Sequence, residues 1–338
     1  MEERVTSPTG FESPRCRVTA RAYSAATDAA KLADLFTRSR PDADRGRPPV
    51  TAEQVRQLLP DSSTGSGGAS DVHLFFVGDE LVGYERTRRE TWTSGIRVYH
   101  ANPFVHPEWR RAEVLTDIAQ RIVEYQGAFS AHDPHGTAAF LSLALDPSDA
   151  VMIEALRAAG FEPRHYFLQM ARPLEADVAV TTLPAPLEIR PLREEDYRRV
   201  YAFDREIMRG CWGVEAPSEE HFEWWSREAF RNPELWAVAW AGGSIVGTSA
   251  GIIGGTWNPT LGAGTAEIRF VRVAPPWRRK GVATALIVRC LAALRTRGIK
   301  RVVLGVDGDS ENTAAALYRT LGFEVTSRAV AYCRDLNR

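Results

Sequence analysis

Glu267-Ile-Arg-Phe-Val-Arg-Val-Ala-Pro-Pro-Trp-Arg-Arg-Lys-Gly-Val-Ala-Thr-Ala-Leu286 decides how this chain is read. A β-branched run leads into a basic turn, and an apolar stretch at helical spacing follows. The pattern predicts strand, turn and helix. The turn, Arg278-Arg279-Lys280-Gly281-Val282-Ala283, has the form R-x-x-G-x-A. Gly281 and Ala283 let the backbone approach a ligand closely. The following helix brings unpaired N–H groups and the positive end of its dipole, and three cationic side chains surround them. Such a turn suits an anion the size of a pyrophosphate. A second signature, Leu317-Tyr-Arg-Thr-Leu-Gly-Phe323, follows near the C-terminus.

The rest of the composition narrows the field. A chain of 338 residues with 44% hydrophobic content is long enough for two cored domains. A formal net charge of -1 gives no pull toward nucleic acid or anionic membrane, so neither is expected as a partner. Cys16, Cys211, Cys290 and Cys333 are scattered, and the seven histidines show no ligand spacing. No metal site or disulfide framework is expected. No apolar run has membrane-spanning length and the N-terminus lacks a secretory core, which points to the cytoplasm.

Along the chain, residues 1–14 read as a flexible tail. Strands and helices then alternate, with a helix expected from Asp28 to Ser39 under a Thr27 or Asp28 cap. A hairpin is expected around Gly78-Asp-Glu80 and another around Gly242-Gly243. The second half repeats the order of the first. Pro107-Glu-Trp-Arg-Arg111 echoes Pro276-Trp-Arg-Arg279, and Leu156-Arg-Ala-Ala-Gly-Phe-Glu162 echoes Tyr318-Arg-Thr-Leu-Gly-Phe-Glu324 at nearly the same offset. Residues 15–172 and 187–338 are therefore expected as two domains, with a proline-bearing linker at 173–186.

The basic turn and the Leu-Tyr-x-x-x-Gly-Phe signature together resemble the GCN5-related N-acetyltransferase (GNAT) superfamily. The tandem layout resembles mycothiol synthases and antibiotic- or peptide-modifying acetyltransferases. The resemblance implies an α+β fold of three layers (α/β/α): two GNAT domains, each a mixed, mostly antiparallel sheet flanked by helices. It also implies acetyl-CoA as cosubstrate, no metal, and N-acetyl transfer to a primary amine of a small metabolite, antibiotic or modified peptide. A mycothiol synthase-like enzyme and a CoA-binding pseudoenzyme are the alternatives. The protein is expected as a monomer or homodimer.

By the same resemblance, Phe270, Val271, Arg272 and Val273 pair through their backbone with the pantetheine arm, and Arg278, Arg279, Lys280, Gly281, Val282, Ala283 and Thr284 hold the pyrophosphate. Ser310 or Asn312 supplies a further cofactor contact. Tyr318 is the general-acid candidate, because a leaving thiolate needs a proton. Glu267 is the base candidate, because an ammonium must lose a proton to attack; the alternative is substrate binding at the strand edge. The first copy reads Arg110-Arg-Ala-Glu-Val-Leu115, and Glu113 and Leu115 are expected to spoil its anion turn, with Leu156 where the second copy has Tyr318. The segment from Cys211 to Trp240 is rich in aromatics and acids, from which Trp212, Glu215, Glu223 and Trp224 are the acceptor-binding candidates.

Overall fold

A computed structural model describes residues 18–39, 48–59, 71–131, 138–175, 181–254, 264–308 and 314–336. The expected tail 1–14 and Cys16 lie outside them. The first half comprises β1 (Val18–Ala22), α1 (Ala25–Arg38), α2 (Ala52–Leu58), β2 (Asp71–Val77), β3 (Glu80–Thr91), β4 (Arg97–Val105), α3 (Ala112–Ala131), β5 (Ala139–Leu145), α4 (Ala150–Ala158) and β6 (Glu162–Pro173). The second half comprises β7 (Glu188–Arg190), α5 (Tyr197–Ile207), α6 (Glu219–Ala229), β8 (Trp236–Ala241), β9 (Ser244–Ile252), β10 (Thr265–Val273), α7 (Val282–Thr296), β11 (Arg301–Asp307), α8 (Ala316–Thr320) and β12 (Glu324–Asp335). The order of strands and helices is the same in both halves.

The strands among the described residues join one mixed sheet in the order β1-β2-β3-β4-β5-β12-β6-β11-β10-β9-β8-β7. The two halves exchange their last strands. β12 runs antiparallel to β5, from Val330 opposite Leu145 to Asp335 opposite Phe140. β6 runs antiparallel to β11, from Arg301 opposite Pro173 to Asp307 opposite Phe167. β6 and β12 also pair with each other along their length.

Helices cover both faces, giving an α+β fold of three layers. On one face α7 buries Leu286, Leu291 and Leu294 against Ile268, Val302 and Leu304. It lies close because β9 carries Gly251, where a Cβ would stand 3.1 Å from the Leu294 side chain. On the other face Val200 of α5 and Trp225 of α6 pack with Trp236, Val238, Ala250 and Phe270.

Local sequence accounts for most boundaries, with three differences from expectation. α1 starts at Ala25, and Asp28 does not cap it from outside. Asp28 is buried in the first turn, accepts the Ser24 N–H at 3.0 Å and grips Arg21 through both oxygens. α2 is additional to the expected elements; Thr51 and Gln54 form its reciprocal capping box. β6 is additional too, and it carries the chain as a strand up to Pro173.

Candidate active site

β10 and β11 run parallel and pair only where Thr265–Glu267 face Arg301–Val303. Both strands continue beyond this, so the sheet opens between them. The far side of β10 remains bonded to β9, but with a bulge: Arg269 faces Ala250 and Arg272 faces Thr248, so Phe270 and Val271 stand opposite Ser249 alone. Phe270 sits at φ +53°, a left-handed conformation that costs a non-glycine residue about 1–2 kcal/mol. The Thr248 hydroxyl donates to its carbonyl at 2.7 Å and fixes the kink. An open strand edge with its backbone groups turned outward can accept an extended, amide-bearing molecule as an added strand.

The basic turn lies beyond the end of β10. Pro275–Trp277 make one 3₁₀ turn, and the Arg278 Nε donates back to the Val273 carbonyl at 3.0 Å. Arg279 and Gly281 are both left-handed, at φ +62° and +80°. Left-handed residues in a turn curl successive N–H groups into a concavity that favours anions. The first intrahelical bond of α7 goes from the Ala285 N–H to the Gly281 carbonyl, which leaves the N–H groups of Val282, Ala283 and Thr284 for a ligand. A Cβ on Gly281 would meet nothing within 4 Å, so the turn faces open space. Lys280 Nζ stands 5.1 Å from the Trp277 ring centre.

The first half shares the opening, since β4 and β5 pair only where Arg97–His100 face Ala139–Ser142, but its turn is built differently. Pro107–Trp109 form the same 3₁₀ turn, but α3 starts at Ala112, two residues sooner than α7 does after Trp277. The first helical bond runs from the Leu115 N–H to the Arg111 carbonyl. Arg111 thus takes the place of Gly281, which corrects the pairing of Glu113 with that glycine. Leu115 does not block the turn, contrary to expectation; it is fully buried in the core under α3. No left-handed residue occurs between His106 and Ala112, and β4 meets β3 in unbroken register from Arg97 to Val105. Arg110 is committed to Asp149 at 2.5 Å.

Tyr318 lies in α8, buried, with its ring centre 6.0 Å from that of Phe323. Its carbonyl accepts the Phe323 N–H at 3.0 Å, and Gly322 closes the helix at φ +80°. Leu156 makes the same bond to Phe161 in the first half, which fixes the two as equivalents. Burial pushes the Tyr318 phenol up, and the Arg272 charge opposes that shift. Glu267 is buried on β10, where burial raises its carboxyl and Arg269, 3.2 Å away, pulls it back down. Ala266 and Ile268 share the core of Tyr318 beneath α7, so strand alternation directs Glu267 to the opposite face. The acid and base candidates thus lie on opposite faces of the sheet. Ser310 and Asn312 lie outside the described residues.

The acceptor candidates divide. Trp212 and Glu215 stand where the halves meet. Trp212 stacks on His165 at 4.6 Å and packs on Trp92 and Phe140 of the first half. Glu215 forms a β-bridge with Trp92 and an ion pair with Arg88 at 2.6 Å. Glu223 and Trp224 lie on the exposed side of α6 instead. Three further residues show no periodicity or motif in the sequence: Asp204, buried between Arg205 and Arg272; Tyr201, bonded through its hydroxyl to His221 Nδ1 at 2.8 Å; and Glu90 on β3, beside Arg88 and His100. Among the described residues no group of histidine, cysteine and acidic side chains has the form of a metal site.

Comparison with known proteins agrees with this geometry. The model of the acetyltransferase (GNAT) family matches residues 197–323, the stretch that contains the opening, the turn and Tyr318. A mycothiol acetyltransferase from Salinispora tropica is 30% identical over 75% of this chain and 77% of its own. The solved structure of a GCN5-related N-acetyltransferase from Sphaerobacter thermophilus superposes with a TM-score of 0.69 at 25% identity, covering 95% of this chain and 96% of that one. A tandem GNAT protein from the clavulanic acid biosynthesis pathway shares the fold, with a TM-score of 0.60 at 17% identity over 95% of this chain and 99% of that one. The chain belongs to the GNAT family of acetyltransferases.

Proposed function

We propose that this acetyltransferase moves the acetyl group of acetyl-CoA to a primary amine, at one site in the half spanning residues 187–338. The half spanning 15–172 is a degenerate copy that walls the acceptor cleft. The observation that carries this reading is the contrast between the halves: a bulged β10 and a left-handed turn in one, an unbroken β4 and a shortened turn in the other.

In this reading the pantetheine arm lies along Phe270–Val273 and the pyrophosphate rests on Arg278–Thr284. Glu267, directly or through a water, takes a proton from the acceptor ammonium. The freed amine attacks the thioester carbonyl, the C–S bond breaks as the tetrahedral intermediate collapses, Tyr318 gives its proton to the departing thiolate, and the nitrogen sheds its extra proton to solvent, from which the tyrosinate is reprotonated. Burial acts on both groups. It keeps Tyr318 protonated at neutral pH, although a raised phenol is a weaker donor to a thiolate, and it raises the basicity of Glu267. Trp212 and Glu215 line the acceptor side.

An acceptor like that of the mycothiol acetyltransferases is the second reading, favoured by the Salinispora relative that spans three-quarters of the chain. A thiol-release assay with acetyl-CoA against a panel of primary amines tests both. Amine-dependent release supports acetyl transfer, and selectivity for mycothiol-type acceptors decides between the readings. No release above hydrolysis with any amine counts against both.

A further inference from the structure

We propose that Asp307 is a second contact for the acceptor, and that the favoured acceptor is an elongated amine with a further hydrogen-bond donor, an ammonium or a hydroxyl, at its far end. The inference rests on the acetyl-transfer reading for the place of the reacting amine beside Glu267.

β11 runs against β6 in unbroken register from Arg301 to Asp307, so its side chains alternate strictly between the two faces. Val302, Leu304 and Val306 enter the core beneath α7. Val303, Gly305 and Asp307 therefore face the other side, where Glu267 stands opposite Val303. Four residues of strand, about 13 Å, lead from Val303 to Asp307. Midway, Gly305 is exposed, and a Cβ there would meet nothing within 4 Å. One face of the sheet thus carries a carboxyl at each end of a strip with an open middle.

Asp307 is held from the first half of the chain. Phe167 of β6 pairs with it, and His165, two residues away on the same face, brings Nε2 to 2.9 Å from Asp307 Oδ1. The imidazole is fixed in turn. His165 is 3% exposed, and its ring lies parallel to Trp212 within 1° at 4.6 Å and crosses Phe167 at 4.8 Å. The backbone is fixed as well, since a Cβ on Gly308 would stand 2.5 Å from the Tyr166 carbonyl oxygen. The Asp307 side chain nevertheless stays 40% exposed.

A carboxylate set by buried neighbours but open to solvent is preorganised for a donor that arrives from outside, and bonds to a charged acceptor are among the stronger ones. An amine with an apolar tail would instead strip water from Asp307 and return no bond. Asp307 is the acceptor contact in this account, and His165 is a positioning residue that acts through it. Trp212 backs the imidazole, which gives that residue a part in acceptor choice without direct contact.

Calorimetric titration of the full chain in excess CoA tests the proposal with three probes of equal length: a diaminooctane, an aminooctanol and octylamine. Binding is read rather than turnover, so a failure of acetyl transfer shows separately, in thiol release. The donor-bearing probes should bind at least about tenfold more tightly than octylamine, and the tighter of the two identifies the donor. Asp307→Asn should shrink the preference for the diamine and leave octylamine affinity and the melting temperature unchanged. His165→Phe keeps a ring on Trp212 but removes the nitrogen, and should lower the same preference without altering octylamine affinity. No preference for either donor-bearing probe in the parent, or an Asp307→Asn variant that weakens all three probes alike, would overturn the proposal. An unchanged preference in His165→Phe would overturn the positioning role.

Discussion

Arg272 donates from Nε to Asp204 at 2.8 Å, and Asp204 is only 1% exposed. The pair joins the bulged end of β10 to α5. Arg205 takes the other carboxylate oxygen, so one buried anion serves two cations. Asp204→Ala would leave both without their partner. Loss of one member of a buried pair costs about 3–5 kcal/mol. We expect a fall in melting temperature and a higher acetyl-CoA KM, because Arg272 no longer anchors the strand edge. A melt and a KM both within error of the parent would show that Asp204 neither stabilises the fold nor shapes the cofactor edge.

Tyr318→Phe removes a proton donor and leaves the buried ring in place. A group that acts only in the transition state lowers kcat while acetyl-CoA binding persists. We expect kcat to drop about ten- to several-hundred-fold at nearly constant acetyl-CoA KM. An unchanged kcat where chemistry limits the rate would exclude Tyr318 from the proton transfer.

Glu267 should set the acidic limb of the pH profile. Its carboxyl is raised by burial, so kcat/KM should decline as pH falls through a value above the ordinary glutamate range of about 4.3. Glu267→Gln should remove or displace that limb and leave CoA affinity intact. If the variant keeps both the limb and the rate, another base acts, and Glu267 serves the strand edge or the acceptor.

The strand exchange makes each half depend on the other. A fragment of residues 181–338 lacks β5 and β6, the two strands that flank β12, and exposes β11 along the edge that β6 covers. Such bare edges invite aggregation. Expressed alone, the fragment should be insoluble or show no cooperative melt, and co-expression with residues 1–180 should rescue it. A soluble, cooperatively folding fragment would mean that the exchange is dispensable.

How far the sequence reaches follows from range. The β10–turn–α7 unit, the Tyr318 helix and the hairpins are local, and the spacing of their apolar and glycine residues is enough to place them. The duplication also carries a signal for β6. Because a strand follows Gly322-Phe323, one is due after Gly160-Phe161, where β6 lies. Prolines at both ends of β6 and its charged start mask the alternation of Leu168 and Met170. Partner choice is not local: nothing in β6 or β12 states that each crosses to the other half. The same holds for the Glu90–Arg88–Glu215 contact, assembled from segments more than a hundred residues apart. Trp224 stands 41% exposed on α6, with its ring 5.8 Å from that of His221, a neighbour that local sequence does not reveal.

The central claim is one acetyl-CoA site per chain, on the Gly281 turn. Calorimetric titration of the full chain with acetyl-CoA tests it most directly. The account predicts a single site. Gly281→Glu should weaken binding by more than about a hundredfold, because it places a charged side chain at a left-handed position in the open mouth of the turn. Glu113→Gly should leave affinity unchanged, since a shortened turn rather than that carboxylate sets the first half apart. Two equivalent sites per chain, or unaltered binding in Gly281→Glu, would contradict it.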